Sequence, residues 1–187
     1  MNDLSRTARV MGLGLVVLLL VGAGPAQFIV GRQGDRTFRL YVPASHSTDT
    51  PMPLVVALHG CAQTPEDFAA GTRLNDAAEA RGLLVLYPLQ APRHNPGRCW
   101  NWFVPARRTQ GEPAEILALI EHVSRTHTVD RARVFVVGLS AGAFMAVALQ
   151  CVAPDVISGI GVSAGGPYRC GTGVSGGIQC MRGVHAG

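Results

Sequence analysis

Unbroken apolar runs and apolar stripes of helical period take turns along this chain. Residues 28–42 place apolar and aromatic side chains on either side of the turn signal Gly31-Arg32-Gln33-Gly34-Asp35, which predicts an antiparallel hairpin. Residues 43–53 are polar and bounded by proline, so they predict a surface loop. The loop leads into Leu54-Val55-Val56-Ala57-Leu58, a continuous apolar run expected of a strand buried on both faces. Helical periodicity follows over 65–81, a second buried strand over 83–87, and a loop rich in Pro and Arg to about Gly111. Helix returns over 113–126, with Ile116, Leu119, Ile120 and Val123 on one face. A strand over 134–137, a very apolar helix over 141–153 and a strand over 157–162 complete the pattern. Strands alternating with helices over this span predict a three-layer α/β domain around a mostly parallel sheet. Residues 165–187 are rich in Gly and predict no strand, and the chain has no internal repeat.

Residues 1–26 have the pattern of a secretory signal peptide. Arg6 and Arg9 precede an apolar run over 10–21, and small residues to Ala26 offer a cleavage site. The run falls short of the roughly 20 residues of a membrane span, so no stable membrane anchor is expected. Residues 27–187 then form one domain, secreted to the periplasm or the extracellular space. In an oxidising destination the five cysteines are disulfide material first. Cys61 and Cys99 lie in loops after predicted strands and are expected within bridging distance. Cys170 and Cys180 flank a Gly-rich loop, and Cys151, inside an apolar helix, is the candidate for a buried free thiol. Spacing alone leaves the connectivity open, and no cysteine or histidine pair has metal-ligand spacing, so no metal is expected.

Composition narrows the chemistry. All sixteen basic residues are Arg. The lack of Lys excludes phosphate-loop nucleotide binding, Schiff bases and pyridoxal cofactors, and no cofactor is expected. The net charge of +4 is spread along the chain without a basic stripe, which disfavours nucleic acid as a partner.

The pattern G-x-S-x-G occurs around Ser140, Ser163 and Ser175. Only Ser140 has a buried strand before it and a helix after it, the context that exposes a Ser hydroxyl on a sharp strand-to-helix turn. Ser163 is followed by Gly165-Gly166-Pro167, and Ser175 falls in a glycine loop. The competing reading of Ser140 is a plain helix N-cap. Leu58-His59-Gly60-Cys61 directly follows a buried strand, where hydrolases of this architecture place one oxyanion-hole N–H. Cys61 would donate that N–H and Ala141 the other.

These pieces resemble the poly(3-hydroxybutyrate) depolymerase family of esterases, with its relatives acting on feruloyl and acetyl esters. The resemblance rests on Leu58-His59-Gly60-Cys61-Ala62-Gln63-Thr64, on Arg81-Gly82-Leu83-Leu84-Val85-Leu86-Tyr87-Pro88 and on Arg98-Cys99-Trp100-Asn101-Trp102-Phe103. Val129-Asp130-Arg131-Ala132-Arg133-Val134 and the turn at Ser140 add to it. It implies an α/β-hydrolase fold, Ser140 as nucleophile, Cys61 in the oxyanion loop, and a polyester or small ester as substrate. Trp100 and Trp102 either help line the substrate groove or pack in the core.

In this architecture the acid and the His follow the Ser in chain order. After Ser140 the chain has one acid, Asp155, in a turn after the helix, and one His, His185, near the terminus. Neither is expected to serve, His59 is expected to be structural, and the chain is expected to stop short of its acid and base. The alternative reading is therefore a truncated, non-catalytic hydrolase-fold protein or an exported ester-binding module. A disulfide-organised structural protein is disfavoured by the buried parallel strands.

Overall fold

A computed structural model describes residues 24–183. The expected signal peptide, up to residue 23, and His185 lie outside the described residues. One six-stranded sheet runs in the order β1-β2-β4-β3-β5-β6. Its strands are β1 (Gln27–Gln33), β2 (Arg36–Val42), β3 (Met52–Leu58), β4 (Leu84–Pro88), β5 (Val129–Leu139) and β6 (Gly159–Ser163). β1 and β2 form the expected hairpin, β2 pairs antiparallel with β4, and β4, β3, β5 and β6 are mutually parallel.

The helices are α1 (Pro65–Thr72), α2 (Leu74–Arg81), α3 (Gly111–Thr126), α4 (Ala141–Val152) and α5 (Gly173–Met181). Ile116, Leu119 and Val123 of α3 and Phe144, Met145 and Leu149 of α4 pack on one face of the sheet. Phe68 and Ala69 of α1 and Ala78 of α2 pack with Val55, Val85 and Tyr87 on the other. With helices on both faces, β3 and β4 must be apolar on both, which explains their unbroken runs.

The sequence departs from the structure in three places. Residues 65–81 form two helices because Arg73 takes a left-handed conformation (φ 53°), capping α1 and starting α2. A reciprocal cap between Thr64 and Asp67 starts α1 as its sequence suggests. Residues 173–181 are helix, although the interior glycines Gly176 and Gly177 disfavour it by about 1 kcal/mol each. Packing overrides that propensity, since a Cβ on Gly177 would lie 2.8 Å from the Trp102 ring. The Cys170–Cys180 bridge ties the helix to the preceding loop. Ser175 therefore sits on a helix and not in a loop. Cys151 is free as expected, but it is exposed on the outer side of α4 rather than buried.

Candidate active site

Ser140 joins the end of β5 to α4 with φ 53° and ψ −118°, a conformation that a residue with a side chain adopts only at a cost of about 1–3 kcal/mol. Close packing imposes the turn. A Cβ on Gly138 would lie 2.3 Å from the Gly142 carbonyl group, and one on Gly142 would lie 2.1 Å from the Leu58 oxygen. These two contacts account for both glycines of the motif. The Ser140 N–H donates to the Ser163 carbonyl at 2.9 Å, which pins the turn to the end of β6.

The Ser140 side chain makes no capping bond to α4, so the plain N-cap reading does not describe it. Its residue is half-buried at the helix N-terminus, where unpaired N–H groups and the helix dipole favour negative charge. The Ala141 N–H finds no acceptor among the described residues. Of the other two pattern matches, Ser163 closes β6 and lends only its carbonyl, and Ser175 lies in the first turn of α5.

The loop after β3 comes up against this turn. Leu58 pairs in register with Gly138, and Gly142 approaches the Leu58 and His59 oxygens. Gly60 faces the Leu139 carbonyl. The Gly60 N–H donates to Gln63 Oε1 at 2.8 Å and the Ala62 N–H to the Gly97 carbonyl at 2.9 Å. The Cys61 N–H has no acceptor among the described residues. Cys61 is bridged to Cys99 with a Cα–Cα distance of 4.2 Å, so the expected pair is formed.

His59 is fully buried. Its Nδ1 faces the Gly60 carbonyl at 2.7 Å and its Nε2 accepts from the Gln90 N–H at 3.1 Å, which fixes the neutral Nδ1–H tautomer. Burial holds its pKa below the ordinary histidine value, with a lesser opposing effect from the Gly60 carbonyl. With both nitrogens committed, it is structural. Asp155 is a turn acid, paired with Arg108 (NH2 to Oδ2 2.8 Å), whose side-chain hydrogen bond lowers its pKa. It follows α4, whose 12 residues separate it from Ser140 by about 18 Å.

Trp100 and Trp102 are buried, 0% and 6% exposed, and Trp102 also borders an apolar recess with Val104, Pro105 and Met145. Trp100 donates its indole N–H to the His59 carbonyl at 3.1 Å. Trp102 stacks on Phe144 with ring centroids 4.9 Å apart. A second apolar recess, of about 430 Å³, is bordered by Phe68, Leu74, Leu139, Val162 and Ser163, at the strand ends that adjoin the Ser140 turn.

A buried polar cluster behind the loop after β3 escaped the sequence reading. Arg36, 2% exposed, contacts Glu115, Gln90 and Glu112, and lies over the Trp100 ring at 5.6 Å. Its phase in β2 was the available signal, since Arg36, Phe38, Leu40 and Val42 share the inward face. An inward Arg requires a buried acid.

A family model described as Esterase PHB depolymerase matches residues 36–185. The chain is 40% identical over 143 residues to Poly(3-hydroxyalkanoate) depolymerase C of Paucimonas lemoignei, covering 75% of this chain and 34% of that protein. It is 29% identical over 166 residues to Feruloyl esterase B of Thermothelomyces thermophilus, covering 86% and 56%. Among solved structures, Acetyl xylan esterase from Aspergillus awamori superposes with a TM-score of 0.67 at 23% identity, over 79% of this chain and 54% of that one. The fold is that of an α/β-hydrolase. The chain spans between about a third and about half the length of these curated relatives.

Proposed function

The chain belongs to the PHB depolymerase family of esterases, and from that membership and the Ser140 turn we propose that it is a secreted serine carboxylesterase of the polyhydroxybutyrate depolymerase type. Ser140 Oγ attacks the ester carbonyl, and the N–H groups of Cys61 and Ala141 hold the oxyanion of the tetrahedral intermediate. Collapse expels the alcohol, leaving an acyl-enzyme that water hydrolyses to the acid. The observation that carries the reading is the strained backbone of Ser140, with the loop that leads to Cys61 packed against its turn at Leu58, His59 and Gly60. The apolar recess next to it suits the acyl part of a polyester or a small ester. Two disulfides favour an oxidising destination, extracellular or periplasmic, and hence residues 1–26 as a signal peptide. Among the described residues no helix is long and apolar enough to cross a membrane.

A hydroxyl nucleophile also needs a base. Among the described residues neither Asp155 nor His59 is available to Ser140. From the oxyanion hole and binding alone, hydrolysis of p-nitrophenyl butyrate is expected on the order of a thousandfold over water. It is expected to rise by orders of magnitude once a base reaches Ser140, which a version extended to the length of the relatives tests. Both activities should be lost in Ser140→Ala, together with covalent labelling by a fluorophosphonate. Labelling that persists in Ser140→Ala, or an extended chain without Ser140-dependent turnover, sinks the proposal and favours a non-catalytic ester-binding module.

A further inference from the structure

We infer that Glu112 is a positioning residue for the oxyanion hole, holding the Cys61 loop through Gln90 and through the Cys99–Asn101 segment. The inference rests on the esterase reading and assigns a role in that same site. A glutamate in the first turn of a helix ordinarily sits in solvent and complements the dipole. Glu112 instead turns inward and is 9% exposed. Its Oε2 accepts the Asn101 N–H at 2.7 Å, and its Oε1 accepts Asn101 Nδ2 at 2.6 Å and Gln90 Nε2 at 2.5 Å. Arg36 NH2 lies 3.5 Å away. Four donors converge on this group, and the acceptor oxygens of a carboxyl side chain are what they meet.

Two routes lead from this carboxylate to the Cys61 N–H. Along the first, Glu112 fixes the Gln90 side chain, and the Gln90 backbone N–H donates to His59 Nε2. His59 also accepts at its carbonyl from Trp100, so both ends of the residue before Gly60 are held. Along the second, Gln90 Nε2 donates to the Cys99 carbonyl at 2.9 Å, and Glu112 holds the backbone of Asn101 two residues on. Cys99 is bonded through sulfur to Cys61 itself. The apolar core alone would not specify this placement, since burial is non-directional and an oxyanion donor works only within about 2.7–3.1 Å of the charge.

Glu112→Gln keeps the shape but turns an NH2 toward donors, so the Cys99–Asn101 segment and the loop it holds shift. The rate of Ser140 phosphonylation by a fluorophosphonate, whose transition state also places charge in the oxyanion hole, is expected to fall about tenfold to a hundredfold. KM for p-nitrophenyl butyrate is expected to stay unchanged while kcat falls. Amide hydrogen exchange at His59–Ala62 is expected to quicken, and this readout does not require activity. Gln90→Met, which removes the three side-chain amide contacts to Arg36, Cys99 and Glu112 but leaves the backbone N–H, serves as the second variant should Glu112→Gln not fold. It is expected to show the same loss. Unchanged exchange at His59–Ala62 in a folded variant overturns the inference whatever the catalytic outcome. A phosphonylation rate equal to wild type in either folded variant overturns it and leaves the esterase reading standing. An unreactive Ser140 in the wild-type chain overturns the esterase reading and with it the assignment.

Discussion

Gly142→Ala tests whether the Ser140 turn and the oxyanion loop are held together by backbone contact. Gly142 has no left-handed φ, so its substitution acts through space alone. The added methyl would lie 2.1 Å from the Leu58 oxygen and 2.7 Å from the His59 oxygen, both backbone atoms. Ordinary contact begins near 3.4 Å, so α4 and the loop must separate by roughly 1.3 Å. Overpacking of this kind costs about 1–3 kcal/mol, and 1 kcal/mol shifts Tm by about 2–4 °C in a domain of this size. The same displacement moves the Ala141 N–H away from the Cys61 N–H, and a misplacement of about 1 Å costs on the order of a hundredfold in rate. Thermal melting and fluorophosphonate labelling of Ser140 read the two effects separately. Gly71→Ala is the comparison. That position lies in α1 with nothing within 4 Å, so the change should leave labelling untouched and stabilise by up to about 1 kcal/mol. If Gly142→Ala melts and labels like wild type, the loop and the turn are not in contact as described.

The remaining predictions concern the supports of the site. Replacing Cys61 and Cys99 with Ser opens a loop of 38 residues, and chain entropy puts the loss at about 4 kcal/mol, to be read from urea unfolding. His59 is buried neutral with its pKa lowered by desolvation, so the unfolded state binds the proton first on acidification. Its contribution is complete above the unfolded value of about 6.5 and is lost as pH falls toward the folded one. Unfolding free energy measured between pH 8 and pH 5 should therefore decline below about 6.5, and a flat profile there would falsify a buried neutral His59. Trp102→Ala removes a stacked core ring and should cost about 3–5 kcal/mol while leaving KM unchanged, whereas a raised KM at unchanged stability would return Trp102 to the substrate groove.

Local pattern was enough to read the hairpin, the buried strands β3 and β4, the amphipathic α3, and Ser140 as the one pattern match between a strand and a helix. These features are written in neighbouring residues, because burial on one or two faces imposes a period on each segment by itself. The Cys61–Cys99 pair was legible at one remove, from two loops expected at the same end of the sheet. What the tertiary structure decided involves residues far apart in sequence that meet only after folding. Glu112, one residue ahead of the helix expected over 113–126, carries no signal of an inward role until β2 brings Arg36 under it and the loop after β4 brings Gln90 beside it. That Trp102 stacks on Phe144 and that Arg36 lies over Trp100 is likewise invisible in the segment that carries the two rings. The helix over 173–181 exists against its own propensity because Trp102 accepts only a glycine at 177. Propensity acts within a few residues and is worth from tenths to about 1 kcal/mol per residue, whereas losing a packed ring or one partner of a buried ion pair costs about 3–5 kcal/mol, so the distant contacts decide wherever the two disagree.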